Sequence, residues 1–425
     1  MTSLNNRFEI SVNSEIGKLE GVILHTPGIE MENMTPSNAE KALYSDVLNL
    51  SIASVEYNQL KTVLEKTTNV FQVGDLLVDV LGNARVRSNL VERICENENA
   101  EDIHEELLNM QTEELAKCLM EGVLMKKDNL SRFLSNERYA LRPLHNFFFT
   151  RDMSVAINDW VLVSRMANKV RTREAMIMEA IFDYHPMFSV KTLDMQSIQT
   201  ANIEGGDVLI AREDVLIIGC GQRTNPHAID FLIDHLKNFK KKQYILVQEL
   251  PADPESFIHL DMVFTLLDKN CCMVYEPVIM QQNRYKTVMI SIDNGSVKIN
   301  EETNLLTALE KLGMPMQPVF CGGSSDPWIQ EREQWHSGAN FFALAPGKII
   351  GYRRNINTIE ALDQAGFQVV DANDLIGEDG TGENMNIDLD KPGRIVITID
   401  GSELARGGGG CRCMTMPIKR RALEE

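Results

Sequence analysis

An α/β fold assembled from repeated strand–strand–helix modules is what this 425-residue sequence predicts, and two observations carry the expectation. The first is a recurring pattern: a polar residue, an apolar run, a short turn of Asp, Asn, Gly or Pro, and a second apolar run. Its copies begin at Asp152 (MSVAI-ND-WVLVSR follows), Asp207 (VLIA-RED-VLIIG), Asp261 (MVFTLL-DKN-CCMVY) and Asn340 (FFALA-PG-KIIGY). The second is spacing, since Asp152, Asp207 and Asp261 lie 55 and 54 residues apart. A unit of that size cannot bury its apolar face alone, so copies arranged radially, as in a propeller, are implied.

Along the chain, the stretch 75–144 breaks the rhythm. Ile103, Leu107 and Met110, then Leu115, Leu119 and Val123, follow helical spacing, and Thr112 before Glu113 and Glu114 predicts a capped helix start. Residues 75–144 are therefore expected to form an inserted helical domain, with 1–74 and 145–425 forming one modular body. The hairpins near 161–165, 215–221 and 349–353 each run into a polar corner: Arg171-Thr172-Arg173-Glu174, Arg223-Thr224-Asn225-Pro226 and Arg353-Arg354-Asn355. Each corner leads into a helix, with Asn225 as N-cap and Pro226 at the first helical position. A further strand such as YILVQEL (244–250) closes the module, which makes the repeat α/β and not an all-β blade.

With 44% apolar and 24% charged residues the chain is long enough to bury a sizeable core. Its net charge of −19 argues against nucleic acid and anionic membrane partners, and leaves solubility or an acidic site for a cationic ligand as its uses. The segment MTSLNNRFEISVNSEIGKLE has no apolar leader region and no later run reaches membrane-spanning length, so a cytoplasmic location is expected. Eight scattered cysteines do not form a disulfide framework and are expected to remain thiols. The Cys411-x-Cys413 pair has no second Cys/His pair at zinc spacing, so no metal is expected there.

Three segments combine titratable residues with a Gly-rich or strand context: IEGGDVLI (203–210), IHLDMVF (258–264) and RGGGGCRCMTMP (406–417). His259 and Asp261 stand two apart on a predicted strand and should project from one face. Equivalent positions of a radial array converge on its axis, so Asp152, Asp207 and Asp261 imply an acidic axial site. Gly407–Gly410 permit close backbone approach to a ligand, and the apolar continuation after Cys413 reads as packed. A cysteine held there could meet His259, pairing a thiol nucleophile with an acid/base.

FFFTRDMSV (147–155), IEGGDV (203–208), HLDMVF (259–264), EREQW (331–335) and GGCRCMTMP (409–417) resemble the arginine deiminase family, and SEIGKLEGVILHTPG (14–28) is similar to that family's N-terminal strand. These ordered motifs span nearly the whole chain. The resemblance implies a five-module pseudo-symmetric α/β propeller, the pentein fold, and hydrolysis of L-arginine to L-citrulline and ammonia without a cofactor. It implies Cys413 as nucleophile, His259 as general acid/base and Glu204 as the carboxylate that orients it. Asp152 and Asp261 would grip the guanidinium, Arg171 and Arg223 the substrate carboxylate, with Asn146 and Phe149 as further contacts. A homo-oligomer, dimer or tetramer, is expected with it. Cys411, where the family often has Pro, and Gly408, where some members have Arg, depart from the pattern. Competing readings are an agmatine deiminase, a dimethylarginine hydrolase or an amidinotransferase of the same fold, a non-catalytic arginine-binding protein, and a metal-dependent hydrolase.

Overall fold

Five sheets share one unit, an antiparallel strand pair whose second strand is joined in parallel by a third strand (the first sheet takes its strand pair from opposite ends of the chain). The structure, a computed structural model, describes residues 7–35, 46–188, 190–195, 198, 200–376 and 388–423. Residues 1–6, part of the segment read as lacking a leader, lie outside it.

In the first sheet Met416–Arg420 runs antiparallel to Leu19–Leu24, which pairs in parallel with Asn69–Gln72. The second joins Ser154–Ile157 and Trp160–Val163 to Lys191–Asp194. The third joins Val208–Arg212 and Val215–Cys220 to Gln243–Glu249. The fourth joins Phe264–Asp268 and Cys271–Val274 to Gln317–Phe320. The fifth joins Phe342–Ala345 and Lys348–Tyr352 to Arg394–Ile399, with Phe367–Asp371 beyond. All four hairpins expected from the repeat are present, and so is the strand expected at 244–250.

A parallel third strand requires a crossover, and helices supply it. Leu50–Thr67, Thr172–Tyr184, Pro226–Leu236, Leu305–Lys311 and Ile356–Gln364 are these connections. Asn225 caps Pro226–Leu236 as expected, its side chain accepting from Ala228 N at 3.2 Å. The strand pair Thr287–Asp293 and Ser296–Glu302 extends the third sheet and has no counterpart in the repeat.

The stretch expected to be helical contains Val73–Leu81, Ala84–Glu98, His104–Leu108, Thr112–Glu121 and Leu130–Leu134, with a short strand pair at Val123–Leu124 and Tyr139–Leu141. Ile103, Leu107, Leu115 and Leu119 are buried, and the first two of these helices pack on Thr172–Tyr184. The cap expectation fails: Gln111 stands at the N-cap without a side-chain bond, and Thr112 is already inside the helix. Glu113 and Glu114 fill the first turn and favour the helix dipole in its place. No helix of the described residues is long and apolar enough to cross a membrane.

One feature of this architecture positions the site. Asp152, Asp261, Asn340 and Cys413 each stand two or three residues before the first strand of a sheet, at Ser154, Phe264, Phe342 and Met416 respectively. The turns that lead into four different strand pairs thus bring their polar side chains to a common place.

Candidate active site

A cavity of about 310 Å³ opens where these turns meet, lined by Asp152, His259 and Cys413, by Arg171 and Arg223, and by Asn146 and Phe149. Glu204 and Asp261 lie just beneath this surface, both fully buried. Of the residues expected at the site, all nine meet within this one region.

His259 Nε2 lies 2.9 Å from Glu204 Oε2, and its Nδ1 lies 3.6 Å from Asp152 Oδ1. Burial alone would lower the imidazole pKa, but Asp152, the Glu204 hydrogen bond and Asp207 outweigh it and lift it to about 9. Burial likewise opposes ionisation of Glu204, yet the bond to His259 and the nearby Arg223 bring it down to about 2. The pair is therefore an imidazolium–carboxylate at neutral pH. Gly206 lets the ring come this close, since a Cβ there would sit 2.5 Å from His259 Nδ1.

His259 and Asp261 do share the site, but not by alternation on a strand. Leu260–Met262 form a 3-10 turn ahead of Phe264–Asp268, with His259 extended before it. Asp261 turns toward the thiol: Cys413 Sγ is 3.6 Å from its Oδ2 and 3.9 Å from its Oδ1. Burial, then Asp261 and Asp152, hold the Cys413 thiol well above its ordinary pKa. A thiol facing two carboxylates keeps its proton until a cation neutralises them.

Both carboxylates are held from behind by arginines. Arg171 Nη1 donates to Asp152 Oδ2 at 2.7 Å, while its other edge grips Glu174. Asp152 Oδ1 is buried without a hydrogen-bond partner, an acceptor facing the cavity wall. Arg412 Nη1 donates to Asp261 Oδ2 at 2.9 Å, and its other nitrogens reach both oxygens of Glu15. Arg223 Nη1 lies 3.5 Å from Glu204 Oε1 and makes no hydrogen bond. That leaves a buried donor beside Glu204 with its hydrogen-bonding capacity unused.

Of the three carboxylates that start repeat copies, Asp152 lines the cavity and Asp261 reaches the Cys413 thiol from beneath it, while Asp207 does neither. Asp207 does not line the cavity; its Oδ1 accepts from Leu260 N at 2.9 Å and so ties the turn that carries His259. Burial pushes its pKa up to about 7.

Sequence reasoning gave no role to Asn340, Arg412, Glu15 or Glu174, all buried around the site. Asn340 had a signal, since it starts the fourth copy of the repeat. Arg412 and Glu15 stand inside quoted motifs but pair across 397 residues, which no spacing reveals. Asp152, Glu204 and His259 offer ligand atoms within 4.8 Å of one another, as a metal site would. Arg171 occupies one of those oxygens, and Arg171 and Arg223 crowd Glu204, so a divalent ion would have to displace cations already there.

The chain is 31% identical to an arginine deiminase of Oenococcus oeni, covering 99% of this chain and 100% of that one. It is 32% identical to an arginine deiminase of Limosilactobacillus reuteri, covering 98% and 99%. Among solved structures it resembles an amidinotransferase of the saxitoxin biosynthetic pathway from Microseira wollei, with TM-score 0.53 and 13% identity over 97% of this chain and 98% of that one. That similarity establishes the mixed α/β fold. A family model described as arginine deiminase matches residues 40–420, and the chain belongs to the arginine deiminase family.

Proposed function

We propose that this chain hydrolyses free L-arginine to L-citrulline and ammonia through a covalent adduct on Cys413. The observation that carries the reading is one cavity lined by a buried thiol, an imidazolium, the Asp152 carboxylate, Arg171 and Arg223, with the Asp261 carboxylate beneath it against the thiol.

Asp152 and Asp261 accept from the guanidinium nitrogens and hold its carbon against Sγ. The bound cation neutralises the two charges that keep the thiol protonated, so Cys413 releases its proton to solvent and becomes thiolate when substrate arrives, to be protonated again when citrulline leaves. Sγ bonds to the guanidinium carbon, giving a tetrahedral species. His259 donates its proton to one nitrogen, the C–N bond breaks, and ammonia leaves an S-amidino (thiouronium) enzyme. His259, now neutral, takes a proton from water, which attacks the same carbon. The C–S bond then breaks to release citrulline and regenerate Cys413. Arg171 and Arg223 pair with the α-carboxylate, while Asn146 and Phe149 line the path of the side chain.

The five sheets, by the same proposal, are blades of a closed five-module propeller, with 75–144 as an inserted helical domain. Support comes from the unit they share and from the four turns that feed one cavity. Eight free cysteines and a thiol that must stay reduced support a cytoplasmic location.

The test is incubation of purified protein with arginine, agmatine and methylated arginines, scoring ureido product and ammonia. Arginine should be turned over at least about 100-fold better than agmatine, which has no α-carboxylate for Arg171 and Arg223 to pair with. Equal rates on the two would refute the assignment of Arg171 and Arg223. Loss of activity with a chelator and return with metal would favour a metal-dependent hydrolase.

A further inference from the structure

We propose that Asn340 is a further catalytic residue of this site, one whose side-chain amide donates a hydrogen bond to Cys413 Sγ and so aims and stabilises the attacking thiolate. The proposal rests on the reading of Cys413 as nucleophile.

Asn340 Nδ2 lies 3.1 Å from Cys413 Sγ and 3.1 Å from the carbonyl oxygen of Asp261. Its Oδ1 accepts from the main-chain N–H of Arg412 at 2.9 Å and of Cys413 at 3.2 Å. These partners fix which end of the amide faces the sulfur. Turned over, the NH2 would meet two N–H donors and the carbonyl would meet the Asp261 oxygen, losing three bonds for at most a weak S–H donor from the thiol. The sulfur therefore receives an N–H. The residue is 1% exposed, so the donor works without competition from water. Gly410 makes room for it, since a Cβ there would lie 2.7 Å from Asn340 Cβ.

The groups around Sγ leave room for a further donor. Asp261 and Asp152 both oppose the thiolate; a main-chain hydrogen bond from Gly410 and the charge of Arg412 favour it, and Arg412 is already shared between Asp261 and Glu15. A neutral amide assists the anion without adding a cation that would repel the guanidinium. The repeat explains the residue type. Asn340 starts its module where Asp152, Asp207 and Asp261 start theirs, and an Asp at this position would turn a third carboxylate on the sulfur.

The experiment uses the full chain with Asn340→Asp and Asn340→Ser. Two quantities are read on the folded protein: the pH dependence of Cys413 alkylation by iodoacetamide, followed by peptide mass, and kcat and KM for arginine. Asn340→Asp keeps acceptors for both N–H groups, removes the donor and adds a charge, so Asn340→Ser, which adds none, reads the amide's loss by itself. Asn340→Asp should move the alkylation midpoint up by about one pH unit or more and lower kcat about 10- to 100-fold, with KM changed by less than about threefold. Asn340→Ser should move both in the same direction. Wild-type alkylation and kcat in either folded variant would overturn the proposal, as would a loss confined to KM. If neither variant folds, Asn340 is a structural tie and the proposal falls. Should wild-type protein fail to turn over arginine, the functional reading fails, and the alkylation profiles still decide what Asn340 does to the sulfur.

Discussion

Cys411 and Cys413 are two residues apart, and an extended segment would have sent both thiols to one side. The chain instead turns through 411–414, so that Cys413 lines the cavity while Cys411 does not. Cys411 is fully buried, and burial drives its pKa upward with no cation to favour its thiolate. Cys413→Ser should abolish citrulline and the covalent adduct together, while Cys411→Ser should keep both. Acid quench during turnover and intact-mass measurement read this directly, and an adduct on Cys411 in an active Cys413→Ser protein would contradict it. Asp152→Asn and Asp261→Asn should each lower kcat/KM about 100-fold or more, because an amide offers the guanidinium no charged acceptor. Near-normal rates with both would refute the cationic grip. The residues gathered at the cavity were legible through ordered motifs that resemble one family, and that resemblance supplied the roles proposed for them. Those that hold them were not: Glu15, Arg412 and Glu174 are defined by contacts across the fold, and an isolated Glu or Arg in a sequence carries no sign of its partner.

The elements were legible where local chemistry decides them. Four hairpins announced themselves by alternating apolar runs and turn residues, and the turn at Asn158 and the Gly347 turn do adopt positive φ. The cap at Asn225 was readable because Asn before Pro has few other uses. In the structure it does more than cap, since Asn225 Oδ1 also accepts from Asn202 N and its Nδ2 donates to Thr200 O. Asn225→Ala should therefore cost about 1–2 kcal/mol, the upper part of the usual range for a cap, in urea unfolding. A cost near zero would show that the helix start is held by other means. What failed were positions where two explanations compete. Thr112 lies inside its helix, and HLDM forms a 3-10 turn because Asp207 captures the Leu260 N–H before the strand begins. The glycine run was read as permitting close approach to a ligand; what approaches Gly409 in the fold is a side chain of the protein itself, since a Cβ there would lie 2.5 Å from Phe149 Cε1. Gly409→Ala should push that ring into the cavity and raise KM for arginine more than it lowers kcat. An unchanged KM would mean that Phe149 does not border the bound substrate.

At the scale of the molecule, the site is a product of the whole fold, drawing on residues from Glu15 to Cys413 and on turns of four sheets. Its charged groups should therefore mark the stability of the entire chain. Glu204 is held at about 2 in the fold, below its ordinary 4.5, so it contributes stability above the ordinary value that is lost as pH falls through about 2. His259 is raised to about 9 from 6.5, so its contribution is complete below 6.5 and is lost as pH rises through about 9. Asp207 acts in the opposite sense to Glu204: with its pKa raised from 3.8 to about 7, it costs stability as pH climbs through that interval and nothing further above it. The range from pH 7 to 9.5 contains the titration of His259, together with the thiols and with Arg151, which burial and Arg412 bring down to about 9; these other groups are common to wild type and variant, so the difference between the two reads His259. Wild-type protein should lose stability over this range relative to His259→Gln, by a few kcal/mol at most, with urea midpoints that converge at the alkaline end. Parallel midpoints at every pH would mean that His259 is neutral in the fold. The same proton is the one the mechanism hands to ammonia, so kcat/KM for arginine should fall above about pH 9 together with this stability difference. A rate that stays level while the stability difference disappears would separate His259 from the proton transfer.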